Sequence, residues 1–402
     1  MTLHTIQLAI SKRLKARKPV INLSFADFTF YDSLLANKKI QTAFGNVFEY
    51  PYYYPTAKGE LSAREAISDY YRKFGQEVDP ARILLSPGIN QSYLYLIKLF
   101  GSSTASASAV TRRTSVSAPS DSAILAPRPH NPSLEEVAGF LNQKIRYFDL
   151  DPANGWQIDL DSLRQAITPH TRAIFLMSPH LPTGAVQSPE TLTALFAMIK
   201  GRNIAVVMDE SLSDFVFDKK EFPITESIST GNQVIVSLQT LSNSFALPGF
   251  KLSWLTFFGP QKAVNTLYQS VEYMADTFLT LNQISQTVLP DIIKHSVNWR
   301  YKFATQVEKN SRLAASLLRK VAHLKLHKPD GGFYCLLEAS TAHKSDQHLV
   351  IDLLNQTGIY LHPGHYYGLD PARQYLVLCF LQDPGVLTSS LKKVARYFKA
   401  TS

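Results

Sequence analysis

At 402 residues the chain is longer than one hydrophobic core ordinarily serves, so two packed domains are expected. With 45% hydrophobic and 18% charged residues it has the composition of a globular protein, and no apolar run approaches the ~20 residues a bilayer-spanning helix needs. The net charge of +9 comes from scattered Lys and Arg without a single-face stripe or recognised motif, which argues against a nucleic-acid partner.

Residues 1–18 mix Leu3, Ile6, Leu8, Ile10 and Leu14 with Lys12, Arg13, Lys15, Arg17 and Lys18. They lack a continuous apolar centre and a small-residue cleavage site, so they read as a structural helix or dimer arm rather than a targeting peptide. From about Leu61 onward, helical apolar spacing alternates with short β-rich runs at 82–86, 122–126, 173–177, 204–208, 234–237 and 252–257. That rhythm predicts an α/β fold with a mostly parallel sheet between helices. Ligands of such sheets gather at the carboxyl ends of the strands.

Residues 101–120 are dominated by Ser, Ala and Thr with Arg112 and Arg113, and show neither helical nor strand periodicity. They predict an inserted surface loop, with a lid or docking loop as the functional alternative. After Leu281 a long helical stretch through Val321 leads into runs at 331–337, 359–362 and 375–380, with helices at 347–357 and 385–400. This predicts a smaller α+β domain that also recruits the N-terminal arm. Cys335 and Cys379 each lie in a short apolar run, which predicts buried free thiols in a reducing, cytoplasmic protein. His323 and His327 have no Cys or carboxylate at ligand spacing, so no metal site is expected.

Five segments carry chemistry. Pro87-Gly88-Ile89-Asn90 follows a strand run and opens a helix through Tyr93, Leu94, Leu96 and Ile97. Unpaired amides at a helix N-terminus suit a phosphate, although ordinary turn chemistry gives the same pattern. Thr240 and Ser242 supply hydroxyls and Lys251 a point charge that could complete an anion site; otherwise they form a polar turn before Pro248-Gly249 and a solvated lysine. Val206-Val207-Met208-Asp209-Glu210 ends an apolar run in an acid pair, where Asp209 is either a site carboxylate or a turn cap. Loops at 127–132 and 177–184 bring His130 and His180 after two further strand runs.

Taken in order, these segments resemble the class I/II aminotransferases, the pyridoxal-phosphate (PLP) enzymes of fold type I. Residues 240–252 resemble the S-x-S-K-x-x-x-x-P-G-x-[RK] signature, with Asn243 in the place of the Schiff-base lysine. Asp209-Glu210 resembles D-E-x-[YF], with Leu212 at the aromatic position. Residues 177–184 resemble the N-P-T-G loop, with Leu181 for its asparagine, and residues 127–132 resemble P-x-Y-P, with Asn131 for its tyrosine. Further matches at Tyr54-Pro55, Gly59, Arg64, residues 329–333 and residues 361–364 extend the resemblance over nearly the whole chain. Lys251-Leu252-Ser253-Trp254 and residues 362–367 are most similar to a bacterial alanine-aminotransferase-like subgroup.

The resemblance implies an N-terminal arm at 1–48 that joins the small domain, a large domain at 49–285 and a C-terminal small domain at 286–402. It implies Gly88, Ile89, Asn90, Thr240, Ser242 and Lys251 around the cofactor phosphate, with Tyr54 reaching it across a homodimer interface. It implies Asp209 against the pyridine nitrogen. Val377 stands where many members have a carboxylate-binding arginine.

An amide cannot form a Schiff base or shuttle the proton that the lysine shuttles, so standard transamination and a covalent cofactor are not expected. Three functions stay open. One is a repurposed enzyme acting on a small metabolite with His130, His180 and His365 as acids or bases, although such loop histidines also serve as backbone hydrogen-bond partners. The second is a non-catalytic protein holding PLP, pyridoxamine phosphate (PMP) or another phosphorylated ligand non-covalently. The third is a residual transaminase that uses preformed PMP.

Overall fold

The computed structural model describes residues 2–47, 56–73, 75–101, 123–217, 233–278 and 281–400. Tyr54 and residues 102–120 of the Ser-rich stretch lie outside the described residues. The strands, in chain order, are β1 (Ile21–Asn22), β2 (Ile83–Ser86), β3 (Ile124–Arg128), β4 (Ile145–Asp151), β5 (Gln157–Ile158), β6 (Ala173–Met177), β7 (Ala205–Asp209), β8 (Ile235–Thr240), β9 (Ser253–Phe258), β10 (Leu324–Leu326), β11 (Tyr334–Ala339), β12 (Ile359–Tyr360), β13 (His362–Pro363) and β14 (Tyr375–Cys379).

An eight-stranded sheet has the order β2-β9-β8-β7-β6-β3-β4-β5. β3, β4, β6, β7 and β8 pair in parallel, whereas β9 is antiparallel to both its neighbours and β5 to β4. The sequence runs reappear as β2, β3, β6, β7, β8 and β9 with shifts of at most three residues at their ends. β4 has no counterpart among the apolar runs, because Ile-Arg-Tyr-Phe-Asp-Leu-Asp alternates polar and apolar residues.

Helices cover both faces, and the period-two alternation of the strands divides their side chains between two cores. Ala173 and Phe175 of β6, with Val207 of β7, meet the helices Ile89–Gly101, Pro132–Phe140 and Gln261–Thr277. Ile174, Leu176, Val206 and Met208 point the other way, toward the helices Leu160–Ala166 and Pro189–Ile199.

The second sheet, β10-β11-β14-β13, is antiparallel and packs with the helices Val297–Leu318, Asp346–Thr357 and Pro384–Ala400. β1 pairs in parallel with β12, and Ile6 and Leu23 enter the same core, so residues from both ends of the chain close it. Cys335 and Cys379 lie buried and unbridged in β11 and β14. His327 meets Glu338 at 3.0 Å, a carboxylate that β10–β11 pairing brings near and sequence spacing does not reveal.

One buried ion pair ties the two regions together. Arg300, in the helix Val297–Leu318, donates to Asp214 of the Ser213–Phe215 turn, with Nε–Oδ2 at 3.0 Å. Its guanidinium also lies 4.7 Å from the centroids of Tyr70 and Phe245. Arg300→Met leaves the Asp214 charge buried without its partner and is expected to cost about 3–5 kcal/mol in urea unfolding, whereas Arg300→Met with Asp214→Leu restores most of that loss. A double variant as unstable as the single one would show that packing, not the charge, holds the junction.

Candidate functional site

Strand register assembles the site at one edge of the large sheet. Ser86 of β2 is opposite Ser253 of β9, which is opposite Thr240 of β8. Strands about 4.8 Å apart therefore align three turns: the Gly88 turn after β2, the Thr240-Ser242 turn after β8 and the Lys251 turn before β9. Gly88 has φ +115° and leads into the helix Ile89–Gly101, so Gly88, Ile89 and Asn90 stand at a helix N-terminus beside these hydroxyls. Thr240 Oγ1 accepts from the Ser242 amide at 3.2 Å, capping the turn Leu241–Ser244 that carries half-buried Asn243. Lys251 is exposed in the left-handed region, with φ +50°.

The neighbouring strands supply the buried half. Asp209, the last residue of β7, is opposite Met177 of β6 and Leu238 of β8 and is 2% exposed. Its Oδ1 accepts from the Ser211 amide at 2.9 Å. Its Oδ2 accepts a short hydrogen bond from the hydroxyl of Tyr93, which is itself 3% exposed. Tyr93 projects from the helix Ile89–Gly101, its ring edge-on to Phe175 at 6.3 Å and its hydroxyl beside the Asn131 side chain. Burial pushes the Asp209 carboxyl above the usual carboxylate range, against the hydrogen bonds of the Ser211 side chain, the Tyr93 hydroxyl and the Ser211 amide. Burial and then the Asp209 charge push Tyr93 well above a free phenol, which keeps the shared proton on the tyrosine.

Next to this pair a cavity of only ≈20 Å³ is lined by Tyr93, His130, Asn131, Phe175 and His180 among others. That is room for about one water molecule. His180 is 2% exposed and pairs Nδ1 with Thr183 Oγ1 at 2.9 Å, while its Nε2 is buried without a hydrogen-bond partner. Burial, reinforced by the nearby His130, pushes its pKa down to about 3, so it is neutral at physiological pH. His130 is 3% exposed and pairs Nε2 with Glu135 Oε2 at 2.8 Å; burial lowers its pKa, with Glu135 opposing. Gly368 backs its ring, and a Cβ there would come within 2.9 Å of the imidazole.

The structure thus brings His130 and His180 together, as the sequence predicts, but in a closed interior rather than an open pocket. It does not bring His365 to them. The His365 Nδ1 and backbone amide are both engaged by Asp346, each at 2.8 Å, and the residue is not among those lining the cavity. Sequence reasoning missed Tyr93, which looked like one more apolar contact of an amphipathic helix, and Glu135, the partner of His130. Asn131, expected only as a lost aromatic contact, caps the helix Pro132–Phe140 by accepting from the Ser133 amide at 3.1 Å.

Comparison with known proteins agrees with this architecture. The sequence profile described as "Aminotransferase class I and II" matches residues 18–384. Nicotianamine aminotransferase 1 of Oryza sativa subsp. japonica is 24% identical over 415 residues, covering 99% of this chain and 79% of the relative. Glutamate-pyruvate aminotransferase AlaA of Escherichia coli strain K12 is 23% identical over 354 residues, covering 86% and 82%. Among solved structures, an alanine aminotransferase from Pyrococcus furiosus superposes with a TM-score of 0.87 at 19% identity, covering 99% of this chain and 97% of that one.

Tyr93→Phe removes a donor from a buried carboxylate and is expected to lower unfolding stability by about 1–3 kcal/mol at neutral pH, read by chemical denaturation. No loss would mean that Asp209 finds its donor elsewhere. His180 supplies a pH test, because its folded pKa is depressed from 6.5 to about 3. The stability it contributes is complete above the unfolded value and is lost as pH falls from there through the folded one. Between about pH 7 and about pH 5 that loss is roughly 2 kcal/mol, so His180→Gln should flatten the acid limb of the stability curve by that amount. Equal acid sensitivity in both proteins would contradict a buried neutral imidazole.

Proposed function

This chain belongs to the class I and II aminotransferase family, and because its own Tyr93 donates to the carboxylate that the resemblance sets against the pyridine nitrogen, we propose that it is a non-catalytic member that does not transaminate. The observation that carries this reading is the hydrogen bond from Tyr93 to Asp209. The family is PLP-dependent, and by resemblance Asp209 is the carboxylate that meets the pyridine nitrogen. Here both of its oxygens already have donors, and the adjoining cavity of ≈20 Å³ has no room for an aromatic ring. The residues present do not fit PLP in the family's manner, so no chemistry is routed through it.

The ring-side differences support one another. Asn131 caps a helix beside Tyr93, Leu181 packs partly buried in two cores, and Leu212 is buried against Phe215 and Phe333. Asn243, by resemblance at the lysine position, removes the remaining covalent anchor. A repurposed enzyme with His130 and His180 as acid and base is less well supported, because the cavity that they line among the described residues measures only ≈20 Å³.

The phosphate side differs in character. The aligned turns of Gly88, Thr240 with Ser242, and Lys251 sit at the rim of the sheet and support non-covalent retention of a phosphorylated small molecule, the role this reading assigns to the protein. Free buried thiols support a reducing, cytoplasmic setting, and among the described residues no helix is long and apolar enough to cross a membrane. The family resemblance, with exposed Tyr273, Phe278 and Ile284, supports a homodimer.

Reconstitution tests the reading. The native protein, mixed with PLP or PMP, should show no change in the cofactor's visible spectrum and no keto-acid-dependent consumption of PMP. Asn243→Lys alone should stay colourless, because the lysine restores the anchor but not the space; Asn243→Lys with Tyr93→Ala should gain the colour of a lysine-bound cofactor. Colour or turnover in the native protein, or in the single variant, would overturn the proposal.

A further inference from the structure

A second cavity lies at the opposite end of the same strands. It has a volume of ≈470 Å³, within the usual range of small-molecule sites. Its floor is formed where β7 and β8 begin, at Ile204, Ala205 and Val234. The four rises along β7 from Ala205 to Asp209 put it about 13 Å from the closed interior described above. The floor is built tightly: Gly259 has φ +121°, and a Cβ there would come within 2.5 Å of the Gln233 carbonyl.

The wall and rim have different chemistry. One wall is apolar, with Leu99 and Phe100 from the end of the helix Ile89–Gly101 and Leu267 from the helix Gln261–Thr277. The rim carries Arg172, Arg202 and Lys262, and no carboxylate is among the described lining residues. Among the described residues, none of these three cations makes a side-chain hydrogen bond or ion pair, while Arg312, Arg300, Arg164 and Arg72 all pair with carboxylates. Arg172 precedes β6, and its carbonyl accepts from the Ala205 amide at 2.8 Å, which fixes its backbone against the cavity floor. Lys262 lies in the first turn of the helix Gln261–Thr277, which has no acidic residue there to offset its dipole. The positive end of that helix and three unpaired cations therefore face one apolar hollow.

We propose that this cavity is a second binding site, for a small molecule with an apolar chain and a single anionic head group. The chain lies along Leu99, Phe100 and Leu267, and the head is held by Arg172 and Arg202 with Lys262 across the opening. An apolar body alone leaves the cations unneutralised, and a bare anion leaves the apolar wall wet, so recognition needs both parts in one molecule.

Calorimetric titration of the full chain tests this, with decanoate as the probe and decanol, decyltrimethylammonium and acetate as comparators. Decanoate should bind saturably and at least roughly tenfold more tightly than any comparator. Arg172→Gln with Arg202→Gln should weaken decanoate at least roughly tenfold while leaving decanol unchanged. Thr266→Trp, at an exposed lining position, should weaken both by filling the hollow, with an unchanged melting temperature showing that the fold is intact. Absent decanoate binding, equal binding of decanol or acetate, or indifference to either variant would overturn the proposal. Dimer formation that competes with decanoate would place a second copy in the cleft and overturn it as well. These readouts do not involve Asp209, Tyr93 or Asn243, so the outcome is independent of the reading given for the sheet's other end.

Discussion

A carboxylate closed inside a protein must find donors, and the whole carboxyl edge of the large sheet is arranged around how Asp209 finds them. β7 delivers the side chain into a space with 2% exposure, where an unpaired charge would cost several kcal/mol. One donor residue is local, Ser211 two residues on, through its amide and side chain; the second is Tyr93, 116 positions away in sequence. That second bond needs the helix Ile89–Gly101 to start at Gly88 and run under β7, which in turn needs β2 to end where it does. The Tyr93 ring then excludes anything else of its size from the same place. One hydrogen bond thereby satisfies the buried charge and closes the compartment beside it.

Much of this edge is legible in the sequence, and the reason is register. Short apolar runs followed by turn residues mark strand ends, and parallel strands place their carboxyl ends on one side. Gly88, His130, His180, Asp209 and Thr240 each follow or end such a run, which is enough to assign them to a common edge. The β2-β9-β8 pairing that aligns Ser86, Ser253 and Thr240, with β9 antiparallel, is set by the fold and not by the runs themselves. β4 escapes because its sequence is nearly half charged, and a strand with an exposed face signals through alternation rather than through a run.

What the sequence leaves hidden is occupancy. An aromatic at position 93 between Ser92 and Leu94 has the same helical period whether it fills a core or plugs a site, and periodicity carries no information on which atom meets the hydroxyl. The same blindness applies to the histidines. His130 and His180 read as accessible acid–base candidates because loops are usually wet, but these loops fold inward and burial makes His180 a neutral hydrogen-bonding residue. His365 fails differently: its loop position is reasonable, but Asp346 engages both its ring and its backbone amide.

The pattern of change on the ring side has its own logic. Removing the aromatic of one loop, the amide of another and the ring partner after Asp209 would each open a void or orphan a polar group if made alone, at a cost of roughly 1–5 kcal/mol apiece. Here each loss has a local answer. Asn131 caps a helix, Leu181 and Leu212 pack into apolar clusters, and Tyr93 donates to the Asp209 carboxylate. Among the described residues this interior is closed by the chain's own side chains, and space at Tyr93 and charge at Asp209 are coupled through the same bond. The turns at Gly88 and Ser242 are half-buried and Lys251 is exposed, so this edge of the sheet stays open to solvent where the Asp209 interior does not.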